Sequence, residues 1–98
     1  MYRINGFNNV PSCVDLDNAI QQRPISVAVD AHNFRNYHDG IFDNCGYTLS
    51  YGALLVGASD YYYKLKLSWG PSFGESGYIR LQKRDNICGI CQQASYPY

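Results

Sequence analysis

Four cysteines, Cys13, Cys45, Cys88 and Cys91, and two histidines, His32 and His38, are the residues of this 98-residue chain best suited to covalent chemistry. An imidazole can take up a thiol's proton near neutral pH, so His32 and His38 are the only candidates for a base of that kind. Both fall in an irregular stretch, where a surface-loop role is expected, and two loop histidines do not make a metal site. Cys88-Gly89-Ile90-Cys91 has the spacing of a redox-active thiol pair. Such a pair belongs at a helix start in a βαβ setting, whereas this one precedes Gln92 near the C-terminus. Four cysteines are compatible with two disulfides, and their three possible pairings stay open on sequence alone. Tyr61, Tyr62 and Tyr63 form an aromatic run that could stack bases. Strand alternation sends neighbours to opposite faces, so part core and part exposed edge is the expectation.

The elements that must position these residues are short. Ser12 with Asp15 three residues on has the form of a capping box, and Leu16, Ala19 and Ile20 follow at helical spacing. The pattern predicts one helix over 14–22, stopped by Pro24. Ile25, Val27 and Val29 alternate with Ser26, Ala28 and Asp30 as a strand does. Residues 31–44 read as loop with one helical turn. Further strands are predicted over 49–57, 61–67 and 78–82, with Gly70, Gly74 and Gly77 marking turns. Short strands, glycine turns and a single leading helix define an α+β domain on an antiparallel sheet, one domain over residues 1–98.

Composition excludes several classes of partner. The 8 basic and 8 acidic residues cancel, and no run of like charge supplies a footprint for nucleic acid or an anionic membrane. No apolar stretch is long enough to span a bilayer, and Met1 to Val10 is polar rather than an apolar signal core, so no membrane span and no targeting segment are expected. The cysteines favour an oxidising compartment. Ten tyrosines and 15% aromatic residues imply large amphipathic side chains that need packing surface and hydrogen-bond partners, part of it on another protein. No cofactor is indicated.

Three blocks carry a family likeness: Pro24 to Gly40 (PISVAVDAHNFRNYHDG), Ile41 to Gly57 (IFDNCGYTLSYGALLVG) and Tyr63 to Tyr96 (YKLKLSWGPSFGESGYIRLQKRDNICGICQQASY), with a weaker match over Tyr2 to Val10. In this order and spacing the chain resembles the C-terminal, right-hand domain of papain-like cysteine peptidases of the cathepsin L type. The resemblance implies a partial barrel of antiparallel strands behind one short N-terminal helix. It also implies a cysteine nucleophile in a C-G-[SA]-C-[WY] context upstream, with His and Asn far downstream. The upstream segment does not fall within these residues, so a nucleophile domain is expected to be absent from the chain.

The downstream positions hold other residues. Where the family has Leu-Asp/Asn-His-Gly, this chain has Leu49-Ser50-Tyr51-Gly52; where the family has Lys-Asn-Ser-Trp-Gly, it has Lys66-Leu67-Ser68-Trp69-Gly70. A phenol with a pKa near 10 is a poor proton acceptor at neutral pH, and a leucine side chain offers no hydrogen bond. The resemblance therefore implies a catalytically degenerate domain in which Tyr51 and Leu67 occupy the imidazole and amide positions. Trp69 keeps its place, and the second Trp of that loop is Phe73. Replacing a polar pair by a larger, more apolar one implies a packed or adhesive former catalytic face. Ala28, Leu49 and Gly52 match the substrate pocket, with Gln93 nearby, and with Tyr51, Leu67 and Trp69 these are candidates for a peptide groove or interface. The likeness also implies disulfides Cys45 to Cys88 and Cys13 to Cys91; the first would contribute on the order of 4 kcal/mol in the chain-entropy picture. The expected function is a structural or protein-binding subunit whose protein partner covers the former interdomain face. The alternative is half of a split cysteine peptidase whose nucleophile comes from another chain.

Overall fold

The computed structural model describes residues 7–9, 12–84 and 86–97, so most of the matched stretch 2–10 lies outside the described residues. The one α-helix among them, α1 (Cys13–Ile20), starts one residue before the predicted span and stops two before its end. Ser12 caps it: its Oγ accepts the Asp15 N–H at 3.1 Å and donates to Asp15 Oδ2 at 2.9 Å. The cap thus closes through the Ser12 hydroxyl on both sides of Asp15, satisfying one of the donors that a helix start leaves open. At the other end the Gln22 and Arg23 N–H groups both turn back to the Ala19 carbonyl.

Among the described residues seven strands follow as β1 (Phe7–Asn9), β2 (Ile25–Val29), β3 (Ile41–Phe42), β4 (Tyr51–Ala58), β5 (Tyr62–Lys66), β6 (Tyr78–Gln82) and β7 (Ala94–Pro97). They form one open sheet in the order β1-β7-β2-β4-β5-β6-β3. Only the β3–β6 pair is parallel. This is the α+β architecture expected, with α1 against β2 and β4. The helical turn foreseen within 31–44 is a 3-10 turn at Phe34–Asn36. Sequence patterning missed β1, β3, β7 and a second 3-10 turn at Ile87–Gly89. Two to four residues are too few to show a period, and their pairing comes from the neighbouring strand. No helix among the described residues is long and apolar enough to cross a membrane.

Alternation places the core. Ile25, Val27 and Val29 of β2, Tyr63 and Leu65 of β5, and Ile79 and Leu81 of β6 are all buried, joined by Leu16 of α1 and by Leu55, Ile87 and Ile90. Each such side chain contributes roughly 1.5–3 kcal/mol over leaving it exposed. The tyrosine run divides as alternation requires: Tyr61 is 75% exposed, Tyr62 half-buried and Tyr63 2% exposed. The Tyr63 hydroxyl reaches Asp17 Oδ1 at 2.8 Å, and Lys83 lies 3.6 Å from the same oxygen, tying α1 to the sheet.

Past β5, the turn 70–77 is fastened by charge. Glu75 takes Arg80 in a two-pronged pair, Nε to Oε1 and Nη2 to Oε2, both at 2.8 Å, and accepts the Gly40 N–H at 3.3 Å. Tyr37 donates to the Gly40 carbonyl at 2.7 Å, and its burial pushes the phenol's pKa up. The Arg80 hydrogen bond pulls the Glu75 carboxyl down from its ordinary 4.5 to about 2, and raises Arg80 in turn. Gly74 has φ +52°, and a Cβ there would sit 2.6 Å from the Tyr78 carbonyl oxygen and 2.7 Å from the Tyr37 ring.

Two outcomes follow from these contacts. Because the folded Glu75 holds its proton less tightly than the unfolded chain does, the pair stabilises the fold above about pH 4.5 and that contribution fades as pH falls toward 2. Urea titrations at successive pH values should show this acid loss in the wild type and a shallower one in Glu75→Gln. Gly74→Ala should cost about 2–4 kcal/mol, measured by the same titration at pH 7, from combined backbone strain and overlap.

Candidate functional site

Antiparallel register sets the candidate site. Val29 pairs with Tyr51, Ala28 with Gly52 and Leu54 with Lys66, so the start of β4 meets the end of β5. Beyond β5 the chain continues as Leu67, Ser68 and Trp69, directly beside Tyr51. Leu67 is 5% exposed, and its N–H bonds to the Gly77 carbonyl at 3.2 Å. Its side chain packs with the core at the edge of the open face.

The Tyr51 hydroxyl is fully engaged within the protein. It accepts the Ser68 N–H at 3.1 Å and shares a hydrogen bond with Ser68 Oγ at 2.5 Å. Its ring meets Trp69 edge-on, centroids 5.3 Å apart and planes at 63°. Trp69 in turn contacts Phe73 at 4.8 Å and Phe34 at 6.4 Å, and Phe34 contacts Phe42 at 5.4 Å. Edge-to-face geometry of this kind adds about 0.5–1.5 kcal/mol per pair beyond area burial. Trp69 nonetheless remains 39% exposed.

An open depression of about 510 Å³ lies over this corner, with Tyr51, Gly52, Leu54, Lys66, Leu67 and Ser68 among its lining. Its chemistry is apolar, with the three hydroxyls of Ser26, Tyr51 and Ser68 and one ammonium. Of the sequence candidates, the depression joins Tyr51, Gly52 and Leu67; Trp69 adjoins it through the Tyr51 ring. Ala28, Leu49 and Gln93 do not line it. They cluster alongside: Ala28 is across the ladder from Gly52, its N–H donates to the Gln93 carbonyl at 3.0 Å, and Leu49 rests against Gly89.

The remaining candidates are dispersed or spent. His32 and His38 are exposed on the loop side of β2 and of the first 3-10 turn, and no group of three or more metal-ligating side chains exists among the described residues. Cys88 and Cys91 do not pair with each other; the disulfides are Cys45–Cys88 and Cys13–Cys91. A redox-active pair within Cys88-Gly89-Ile90-Cys91 is therefore not what the fold forms. Sequence reading overlooked Ser68, whose neighbour Trp69 drew attention instead, and Asp30. Asp30 is 7% exposed, and its carboxylate accepts the N–H groups of His32 at 3.1 Å, Gly46 at 3.0 Å and Thr48 at 3.4 Å. A single acid closing a hydrophobic strand, before a loop with no partner in sequence, was its only signal.

Known proteins share this fold. The sequence pattern of the papain family of cysteine proteases matches residues 1–98. Cathepsin L 2 of Paramecium tetraurelia is 44% identical over 95 residues, covering 96% of this chain and 30% of that protein. Vignain of Ricinus communis is 39% identical over 108 residues, with the same two shares. Among solved structures, a Carica candamarcensis cysteine protease in complex with E-64 superposes with a TM-score of 0.91 at 32% identity, over 97% of this chain and 49% of that one. Bromelain of Ananas comosus, in complex with the E64 inhibitor, does so at 0.86 and 36%, over 96% and 50%. The single helix and the open, mostly antiparallel sheet are thus an α+β unit found within larger proteases. The chain belongs to the papain family of cysteine proteases, and it spans 30% of the length of these curated relatives.

Trp69 is the only tryptophan, so its fluorescence reports on this corner alone. Tyr51→Phe should leave the emission maximum in place and cost about 0.5–1.5 kcal/mol for the lost hydroxyl bonds. Tyr51→Ala should shift the emission to longer wavelength as water reaches the indole.

Proposed function

We propose that the chain is a non-catalytic papain-family domain that works as a structural or protein-binding part of a larger assembly. The observation that carries this reading is the use already made of the two positions where the family places its imidazole and amide. The Tyr51 oxygen is held by Ser68, and Leu67 is a buried hydrocarbon. A base must accept a proton from a thiol at hydrogen-bond distance, and an orienting amide must offer a donor or acceptor to the base. A phenol already bonded to Ser68 and a leucine side chain supply neither. Loss of both members of such a cooperative set removes most of the rate enhancement it provides.

Binding is supported by what the same exchange leaves on the surface. Trp69 and Leu54 are 39% and 37% exposed beside the depression, and Val14, Ile41, Tyr47 and Tyr61 are exposed elsewhere. Aromatic side chains ringed by hydroxyls and a lysine have the composition of an interface centre with a polar rim. The relatives are named as proteases, and that activity is theirs.

Hydrolysis of fluorogenic peptides should be at background for the protein as isolated. It should stay there when a papain-family polypeptide that supplies a cysteine nucleophile is added. E-64-sensitive turnover by the protein itself would overturn the reading. Turnover only with the added polypeptide would replace it with the split-peptidase alternative.

A further inference from the structure

Both disulfides converge on one short segment. Within residues 86–91, Cys88 is joined to Cys45 and Cys91 to Cys13. Asn86, Cys88 and Gly89 there have φ of +52°, +53° and +75°. Asparagine and glycine tolerate left-handed backbone, but the Cβ of Cys88 crowds its own carbonyl in that conformation, which persists only because the surroundings hold it. Those surroundings are a fully buried side chain, a carbonyl that accepts the Asp30 N–H at 2.8 Å, and the bridge itself.

The far ends of the two bridges differ. Cys13 sits in α1, which stays anchored by Leu16 at 0% exposure. Cys45 is half-buried within residues 43–50, which form neither helix nor strand. Apart from the bridge, that stretch is fastened through Asp30 to Gly46 and Thr48, by Asn33 to the Asn44 carbonyl at 3.0 Å, and by Arg84 to the Asp43 carbonyl at 3.5 Å. Its end leads into Tyr51: the Ser50 N–H bonds to the Val29 carbonyl at 3.0 Å, and Leu49 packs where a Cβ on Gly89 would lie 2.7 Å from its Cδ2.

We propose that Cys45–Cys88 is a redox-sensitive latch, opened by a thiol reductant, that sets the shape of the chain leading into Tyr51. The attacking thiolate meets the Cys45 sulfur, because Cys88 is sealed. The S–S bond breaks, Cys88 leaves as a thiolate that then takes a proton, and a mixed disulfide forms on Cys45. A second reductant thiol displaces Cys45, so two thiols of the reductant become one disulfide and Cys45 and Cys88 end as thiols. Opening frees residues 43–50 and lets Cys88 leave its left-handed conformation. Opening Cys13–Cys91 releases no comparable chain, since α1 remains docked. The latch bridge is therefore reduced at a thiol level on the order of tenfold lower than the other. The latch does not rest on the function proposed above.

The test titrates the disulfide-bonded protein in glutathione or dithiothreitol buffers, with alkylation, peptide mass spectrometry and hydrogen exchange. Cys45 and Cys88 should be alkylated first while Cys13 and Cys91 remain joined. Exchange should rise in residues 43–50 and 86–91 and stay low in β2, β4 and β5. The Cys45→Ser/Cys88→Ser variant should give the same exchange pattern without reductant. Simultaneous opening of both bridges, earlier opening of Cys13–Cys91, or loss of sheet protection in the variant would overturn the proposal, as would unchanged exchange in 43–50. No partner enters these measurements, so their failure is separate from failure of the proposed function.

Discussion

The antiparallel register between β2 and β4 is the constraint on which the rest depends. Five consecutive pairs, from Ile25 with Leu55 to Val29 with Tyr51, fix which side chains face inward. Strand side chains alternate, so a slip of one residue would send Ile25, Val27 and Val29 to the outside and expose the core. The same register delivers Tyr51 and Gly52 to the end of the sheet, where β5 brings Leu67 and Ser68 alongside. The site is thus a by-product of the pairing that buries the core.

Polar contacts then decide how the irregular chain lies against that sheet. Asp30 gathers the amides of residues 32, 46 and 48 around one buried carboxylate, and Glu75 with Arg80 holds the 70–77 turn against Gly40. A buried carboxylate surrounded by N–H donors satisfies both partners at once, whereas an unpaired one would be costly. The disulfides add covalent ties from α1 and from residues 43–50 to the same C-terminal segment.

A phenol at position 51 and a leucine side chain at position 67 sit within this frame without disturbing it. The phenol finds Ser68 and Trp69, and the leucine side chain joins the core. A scaffold held by register and apolar burial tolerates new side chains at its edge as long as each finds a partner or solvent.

Regular patterns were legible from the sequence alone. The β-branched alternation of 25–29, the apolar alternation of 78–82, the Ser12 cap and the glycine turns each encode a local geometry, and the residue types at positions 51 and 67 bound what chemistry those positions can do. The edges of β4 and β5, the short strands β1, β3 and β7, and the left-handed turn around Cys88 were not legible, because each depends on hydrogen bonds to distant chain. Ser68 as the partner of Tyr51 and Asp30 as the anchor of a loop 16 residues away likewise carry no local signal. Sequence determined the longer elements and the identity of the groups available. Only the tertiary structure decided which groups meet, since strand register and loop closure are properties of the packed chain as a whole.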